Sequence, residues 1–119
     1  MSRKILIVDD STMIIQTIKN YVTKYDLEIV GTAIDGKEAI EVFKKTLPDF
    51  VTLDITMPEI DGLTVLEEML KIRDSAKIII ITALNDKLTG ITAMKKGAKG
   101  FLNKPFNEEK FKEVLERIL

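Results

Sequence analysis

Apolar residues along this chain fall into two alternating patterns: short unbroken runs, and longer stretches with a helical repeat. Residues 5–8, Ile-Leu-Ile-Val, form a branched, continuously apolar run, as expected of a strand covered on both faces. It ends in Asp9-Asp10-Ser11-Thr12, where a helix begins, with Ile14, Ile18, Tyr21/Val22 and Tyr25 at helical spacing. Residues 28–33 read as a second strand. Asp35-Gly36-Lys37-Glu38 has the form of a capping box with Asp as the cap, ahead of a stripe of Ala39, Ile40 and Phe43. Pro48 closes that helix. Residues 50–54 give a third strand, and a helix over 63–72 should turn Leu63, Leu66, Met69 and Leu70 inward. Residues 77–81, Lys-Ile-Ile-Ile-Ile, are the most apolar strand candidate and are expected at the centre of the sheet. A helix over 86–96 ends at Gly97, which suits a left-handed cap. Residues 100–102 make a short fifth strand. Asn107 then caps a last helix carrying Phe111, Val114, Leu115, Ile118 and Leu119 on one stripe.

Five strands alternating with five helices imply an α/β fold, a doubly wound parallel sheet with helices on both faces. Short right-handed crossovers place the carboxyl end of every strand on one edge of such a sheet. Asp9-Asp10 follows the first strand, Asp54 ends the third, Thr82 ends the fourth and Lys104 follows the fifth. Five polar residues therefore converge on one rim, where open α/β sheets build their sites.

Composition narrows what that rim can do. With 119 residues, the chain has room for one self-supporting core, and no repeat or linker divides it. Eighteen basic and nineteen acidic residues leave a net charge of −1, which argues against a general grip on nucleic acid. Cysteine and histidine are both absent, removing disulfides, thiol catalysis, imidazole bases and zinc-thiolate sites. What remains is chemistry by carboxylates, hydroxyls, Lys or a hard metal bound through oxygen. Met1-Ser2-Arg3-Lys4 leads into an apolar run too short for a signal peptide or a membrane span, so the expectation is a cytoplasmic protein with no membrane insertion.

Residues 50–62 are the centre of the pattern. A β-rich run stops at Asp54; Pro58 cannot donate to a ladder and biases Met57 towards an extended conformation, and an Asp61-Gly62 turn follows. Taken singly, Asp54 reads as a solvated strand end, Asp9-Asp10 as helix capping and Thr82 as an ordinary strand terminus. Asp9-Asp10, Asp54 with Met57-Pro58 and Asp61-Gly62, Thr82-Ala83, Gly97-Ala98 and Lys104-Pro105-Phe106 appear in order across the whole chain. In this the chain resembles the receiver domain of the response regulators of two-component signalling.

The resemblance implies a (βα)5 flavodoxin-like sheet of strand order 2-1-3-4-5, a receiver domain over residues 1–119 and no output domain. It also implies that Asp54 is the phosphoacceptor and that Mg²⁺ is held by Asp10 and Asp54 directly. Asp9 would orient or bind through water, and Thr56 would contribute its backbone carbonyl. Lys104 and Thr82 would serve the phosphoryl oxygens, the Lys104–Pro105 peptide would be cis, and Thr82 with Phe101 would form the switch. Carboxylate chemistry independently suits this: an attacking carboxylate gives an acyl phosphate, and Mg²⁺ accepts one or two carboxylates plus water. Without metal, mutual repulsion should raise at least one pKa in the cluster.

Two positions carry functional choices. Phe101 stands where many relatives have Tyr, and Thr56 and Leu84 are neither acid nor amide, so neither can orient an attacking water strongly. Around Ile15, the first helix either exposes apolar surface beside the site, suited to a histidine phosphotransfer bundle, or simply flanks the core stripe. The expected partners are a sensor histidine kinase or phosphotransfer protein, and a downstream protein target such as the flagellar motor switch; the expected state is monomeric. Such a protein is a phosphoacceptor switch with slow self-dephosphorylation, in chemotaxis-type signalling or a phosphorelay, not a turnover enzyme. Two other classes share parts of the pattern. A haloacid-dehalogenase-type phosphatase or phosphotransferase would use an aspartyl-phosphate and Mg²⁺, but wants Asp where Thr56 stands. A flavodoxin-like cofactor binder would need a phosphate loop where Asp9-Asp10 would repel one.

Overall fold

A computed structural model describes residues 3–56, 61–83 and 87–119, Lys87 by its backbone alone. The elements alternate as β1 (Arg3–Val8), α1 (Thr12–Val22), β2 (Leu27–Ala33), α2 (Gly36–Thr46), β3 (Phe50–Asp54), α3 (Gly62–Ile72), β4 (Lys77–Thr82), α4 (Lys87–Lys95), β5 (Gly100–Asn103) and α5 (Glu108–Ile118). The strands form one parallel sheet in the order β2-β1-β3-β4-β5. This is the flavodoxin-like arrangement, and it carries all five strand ends to one edge. The middle strand is β3, not the more apolar β4, which lies between β3 and β5. Continuous hydrophobicity reports cover on both faces, and every strand inside the sheet has that.

The two faces bury separate cores. Leu6, Val8, Val51, Leu53, Ile78 and Ile80 point to one face, under Phe43 of α2, Leu66 and Met69 of α3, and Ala93 of α4. Ile5, Ile7, Phe50, Ile79 and Ile81 point to the other, under Ile15, Ile18 and Val22 of α1 and Phe111 and Leu115 of α5. The period of two along each strand produces this division.

Several inward stripes rotate slightly from the expected ones. In α1, Ile15, Ile18 and Val22 are buried while Ile14 and Tyr21 are only partly covered. Tyr25 lies beyond the helix, where its hydroxyl donates to Glu116 at 2.6 Å. In α3, Val65 joins Leu66 and Met69 in the core, whereas Leu63 and Leu70 are half-buried. Leu119 is exposed at the end of α5. Single-residue rotations of this kind follow from where each cap starts the helix: Ser11, Asp35, Asp61 and Asn107 each cap through a side-chain oxygen. Gly97 adopts φ 113° after α4, a left-handed conformation that favours glycine. The start of the helix expected at Asp86, and the Met57-Pro58 turn, lie outside the described residues.

At the amino edge, one carboxylate ties three strands together. The Asp49 amide donates to the Lys4 carbonyl and its carbonyl accepts from the Lys77 amide, while its Oδ2 accepts from the Lys4 amide at 2.8 Å and its Oδ1 accepts from Arg73 at 3.0 Å. The same guanidinium donates to the Leu47 and Pro48 carbonyls that end α2. The Lys4 amide and the Arg73 charge outweigh partial burial and hold the Asp49 carboxyl below its usual range. A depressed carboxyl stabilises the fold above its unfolded-state pKa and loses that stabilisation as pH falls through the folded-state value. Asp49→Ala should therefore cost about 1–2 kcal/mol at neutral pH, a deficit that shrinks as the pH drops through the ordinary carboxylate range. Denaturant unfolding of both proteins across pH checks this; a pH-independent difference would overturn it.

Candidate functional site

Among the described residues, the fully buried polar side chains are Asp9, Thr52, Asp54 and Thr82, and all but Thr52 lie at the carboxyl edge of the sheet. Burial of a carboxylate demands compensation, and both Asp9 and Asp54 obtain it in the same two ways. The first is local. Asp9 Oδ1 accepts from the Ser11 amide at 2.9 Å, and Asp54 Oδ1 accepts from the Thr56 amide at 2.8 Å. Each is a bond from a side chain to the amide two residues on, the turn that Asp favours just past an element. Thr56 adds its hydroxyl, which donates to the same Asp54 oxygen at 2.6 Å.

The second is a shared cation. Lys104 Nζ stands 2.9 Å from Asp9 Oδ2 and 3.1 Å from Asp54 Oδ2. Each carboxylate thus gives one oxygen to its own loop and turns the other towards Lys104. The Lys104 amide donates to the Thr82 carbonyl at 2.8 Å, continuing the β4–β5 ladder, and the Lys104–Pro105 peptide is cis. Close packing also holds the strand end that carries Asp54. A Cβ on Gly62 would lie 2.4 Å from the Ile55 backbone, so only glycine lets α3 begin against the residue after Asp54.

Electrostatics follow from this arrangement. Burial pushes the Asp9 carboxyl up; Lys104 and the Ser11 amide oppose the shift, while the Asp54 charge adds to it. A raised carboxyl in the cluster is expected from the sequence, but the main cause is desolvation, with mutual repulsion a smaller one. Burial would by itself lower the Lys104 ammonium, yet the Asp9 and Asp54 carboxylates prevail and hold it above its usual value.

Asp9, Asp10 and Asp54 each offer a carboxylate oxygen, all within 4.8 Å of one another. Asp10 is exposed and Asp9 and Asp54 are buried, so the group opens towards solvent on one side. Asp9 Oδ2 makes no aligned hydrogen bond and is held by charge alone. A buried, incompletely satisfied oxygen beside two further hard oxygen donors fits a small divalent cation such as Mg²⁺.

Of the residues singled out in the sequence, Asp9, Asp10, Asp54 and Lys104 come together here, with Thr82 buried at the adjoining strand end. Thr56 is half-buried beside Asp54, and its hydroxyl bond to that carboxylate has a sequence signal only in the spacing of two. Leu84 lies outside the described residues. Ile15, only 7% exposed, belongs to the core, which answers the question left open for α1; the apolar residue that α1 exposes at this end is Met13, at 76%. A pocket of about 340 Å³ lined by Ile14, Thr17, Ala83, Lys104, Pro105 and Phe106 adjoins the Lys104 stem. Phe101 is half-buried and packs against the core under α2, α3 and α4.

Comparison with known proteins agrees with this geometry. The family model described as a response regulator receiver domain matches residues 5–116. The chain is 41% identical to the chemotaxis protein CheY of Thermotoga maritima over 118 residues, covering 99% of this chain and 98% of that one. It is 40% identical to the CheY of Bacillus subtilis over 119 residues, covering 100% and 99%. Among solved structures, a chain in the CheX-CheY-BeF3-Mg²⁺ complex from Borrelia burgdorferi superposes with a TM-score of 0.92 at 35% identity, over 98% of this chain and 88% of that one. A strand-end acid cluster bridged by one Lys, and a family match across nearly every residue, lead to one assignment: the chain belongs to the response regulator receiver family.

Proposed function

We propose that this protein is a phosphorylation switch, with a receiver domain over residues 1–119 that acts in the cytoplasm by changing what it binds. The observation that carries the reading is the Lys104 ammonium held between two buried carboxylates, Asp9 and Asp54, with Asp10 in reach of both. In this reading a carboxylate oxygen of Asp54 attacks the phosphorus of a phosphohistidine on a sensor kinase or phosphotransfer protein. The O–P bond forms as the P–N bond breaks, and the imidazole nitrogen keeps the electron pair and takes up a proton. Asp10 and Asp54 would hold Mg²⁺ directly, Asp9 would orient it or bind through water, and the Thr56 carbonyl would complete the set. Bound there, the metal supplies positive charge to offset the phosphoryl oxygens. Lys104 neutralises one of those oxygens and the Thr82 hydroxyl donates to another. The pocket beside Lys104 and the exposed Met13 give the donor protein an apolar foothold next to Asp54.

The output face proposed is that of α4, β5 and α5. Helix α4 turns Gly90 and Ala93 inward and leaves Leu88 73%, Ile91 51% and Met94 45% exposed. An apolar groove of about 570 Å³ runs between Ile91, Met94, Lys95 and Phe101, with Gly90 at its base. When Thr82 moves towards the phosphoryl group, Phe101 swings inward, held by packing because it has no hydroxyl. Taking such a ring from water to full burial is worth roughly 1.5–3 kcal/mol, and completing the burial of a half-buried one about half of that, enough to shift a two-state equilibrium several-fold. Similarity to CheY over nearly the whole chain favours a chemotaxis output such as the motor switch over a phosphorelay.

With Mg²⁺ and acetyl phosphate, intact mass should rise by one phosphoryl group in the wild type and not in Asp54→Ala. Asp10→Ala should lose most of the adduct while remaining folded, since its exposed carboxylate supports no core packing. An undiminished adduct on Asp54→Ala would overturn the assignment.

Lifetime gives a separate test. The Thr56 hydroxyl gives its one proton to Asp54 and keeps only neutral acceptor lone pairs, a weaker means of orienting an attacking water than a carboxylate or carboxamide. Replacing Thr56 with Glu or Asn should speed loss of the phosphoryl group, by at most about 10²-fold. Decay followed by mass after removing the donor decides this, and unchanged or slower decay would place control of water elsewhere.

A further inference from the structure

Helix α4 meets the body of the protein through its smallest residues, and one of them is matched to the Phe101 ring. The three heavy atoms nearest a Cβ built on Gly90 are all ring carbons of Phe101, at 3.0 Å, 3.1 Å and 3.2 Å. Contacts that short are tighter than ordinary packing distances, so a single methyl at Gly90 would compete with the ring for the same volume. The ring is half-buried on a surface groove, so it can yield more easily than the helix backbone can.

We propose that Gly90 is a positioning residue for the Phe101 ring. By carrying no side chain it provides the seat on which the ring rests, and this makes the position of the ring and the position of α4 one coupled variable. Glycine in a helix interior weakens the helix relative to alanine, a local cost that calls for a packing reason. The Phe101 contact supplies that reason. This inference rests on the reading of Phe101 as the mobile element of the switch and adds what holds the ring in its unphosphorylated place. Gly90 and Ala93 face inward three residues apart, one helical turn, so the seat continues into the core cluster that contains Ala93. A shift of α4 and a rotation of Phe101 cannot then occur independently.

A double-mutant cycle between Gly90→Ala and Phe101→Leu, read as thermal midpoints, tests the contact itself. In the Phe101→Leu background the methyl has room, and alanine's better helix propensity should raise the midpoint by roughly 3 °C. In the wild-type background the same substitution should raise it by clearly less, or lower it, because the methyl displaces the ring. Equal increments in both backgrounds would overturn the proposal. Phe101 aromatic resonances supply the second reading. In unphosphorylated Gly90→Ala they should move part of the way towards the positions they take in wild-type protein with beryllofluoride and Mg²⁺. Resonances unchanged by Gly90→Ala would also overturn it. The stability cycle needs no phosphoryl chemistry, whereas failure of wild-type protein to gain mass from acetyl phosphate would remove the switch reading alone.

Discussion

One cation between two buried carboxylates holds the site together and constrains the fold around it. Asp9 and Asp54 are fully buried, and the Lys104 side chain is 18% exposed. Removing one partner of such a group typically costs about 3–5 kcal/mol, because a desolvated charge is left without its counterion. The three residues stand on β1, β3 and β5 or just beyond them, so they meet only if those strands run the same way and end on one edge. The parallel sheet is therefore both the frame that brings the charges together and a structure that depends on their balance. The long Lys104 stem suits this position, since it reaches past the end of β4 to strands that are not β5's neighbours.

Most of this was legible in the chain because it rests on local rules. The order of elements, the two-sided burial of β1 and β4 and the convergence of Asp9, Asp10, Asp54, Thr82 and Lys104 follow from alternation of strands and helices with short connections. Residues whose position depends on exact helix phase were less legible. Ile15 and Val65 point inward, and Leu119 does not, because a cap residue sets the rotation of each helix and a shift of one residue turns it by about 100°. The Asp49 tie was not visible at all. Its partners Lys4, Arg73 and Lys77 lie on separate elements, and no periodic pattern links a loop carboxylate to an arginine 24 positions away. The Thr56 hydroxyl bond falls between these cases: the spacing permits it, but only the turn geometry makes it.

The helices are not held equally. Helices α2, α3 and α5 each insert at least one large side chain into a core, such as Phe43, Met69 or Phe111, and α1 inserts Ile15, Ile18 and Val22. Full burial of one such side chain contributes roughly 1.5–3 kcal/mol, while α4 contributes a methyl from Ala93 and no side chain from Gly90. Just beyond its end, Lys96 pairs with Glu67 of α3 and Gly97 closes the turn, but an ion pair at the surface is screened by water and holds little. Helix α4 therefore has the least to lose by moving, and elements of low local stability are the ones that conformational change draws on.

This asymmetry also decides where a change of charge at Asp54 can be expressed. In the proposed reading, a phosphoryl group on Asp54 would replace the single charge of the carboxylate with close to two and add strong acceptors to a site that Lys104 now balances. Relaxation passes through neighbouring groups, and two of these, Lys104 and the Thr82 whose carbonyl accepts from the Lys104 amide, lie on the chain immediately flanking α4 and β5. Thr82 ends the strand that leads into α4, and Lys104 follows the strand whose Phe101 rests on that helix. Both routes from the carboxylates thus converge on the most weakly held helix, from its amino end and through its inner face. The opposite core has no comparable slack, because the aromatic rings of Tyr21, Phe106 and Phe111 interlock there between α1 and α5. A signal at Asp54 can shift an equilibrium only as far as the two states differ in their contacts with it. Among the described helices, α4 is the one whose contacts are few enough for a single hydroxyl and a single ring to matter.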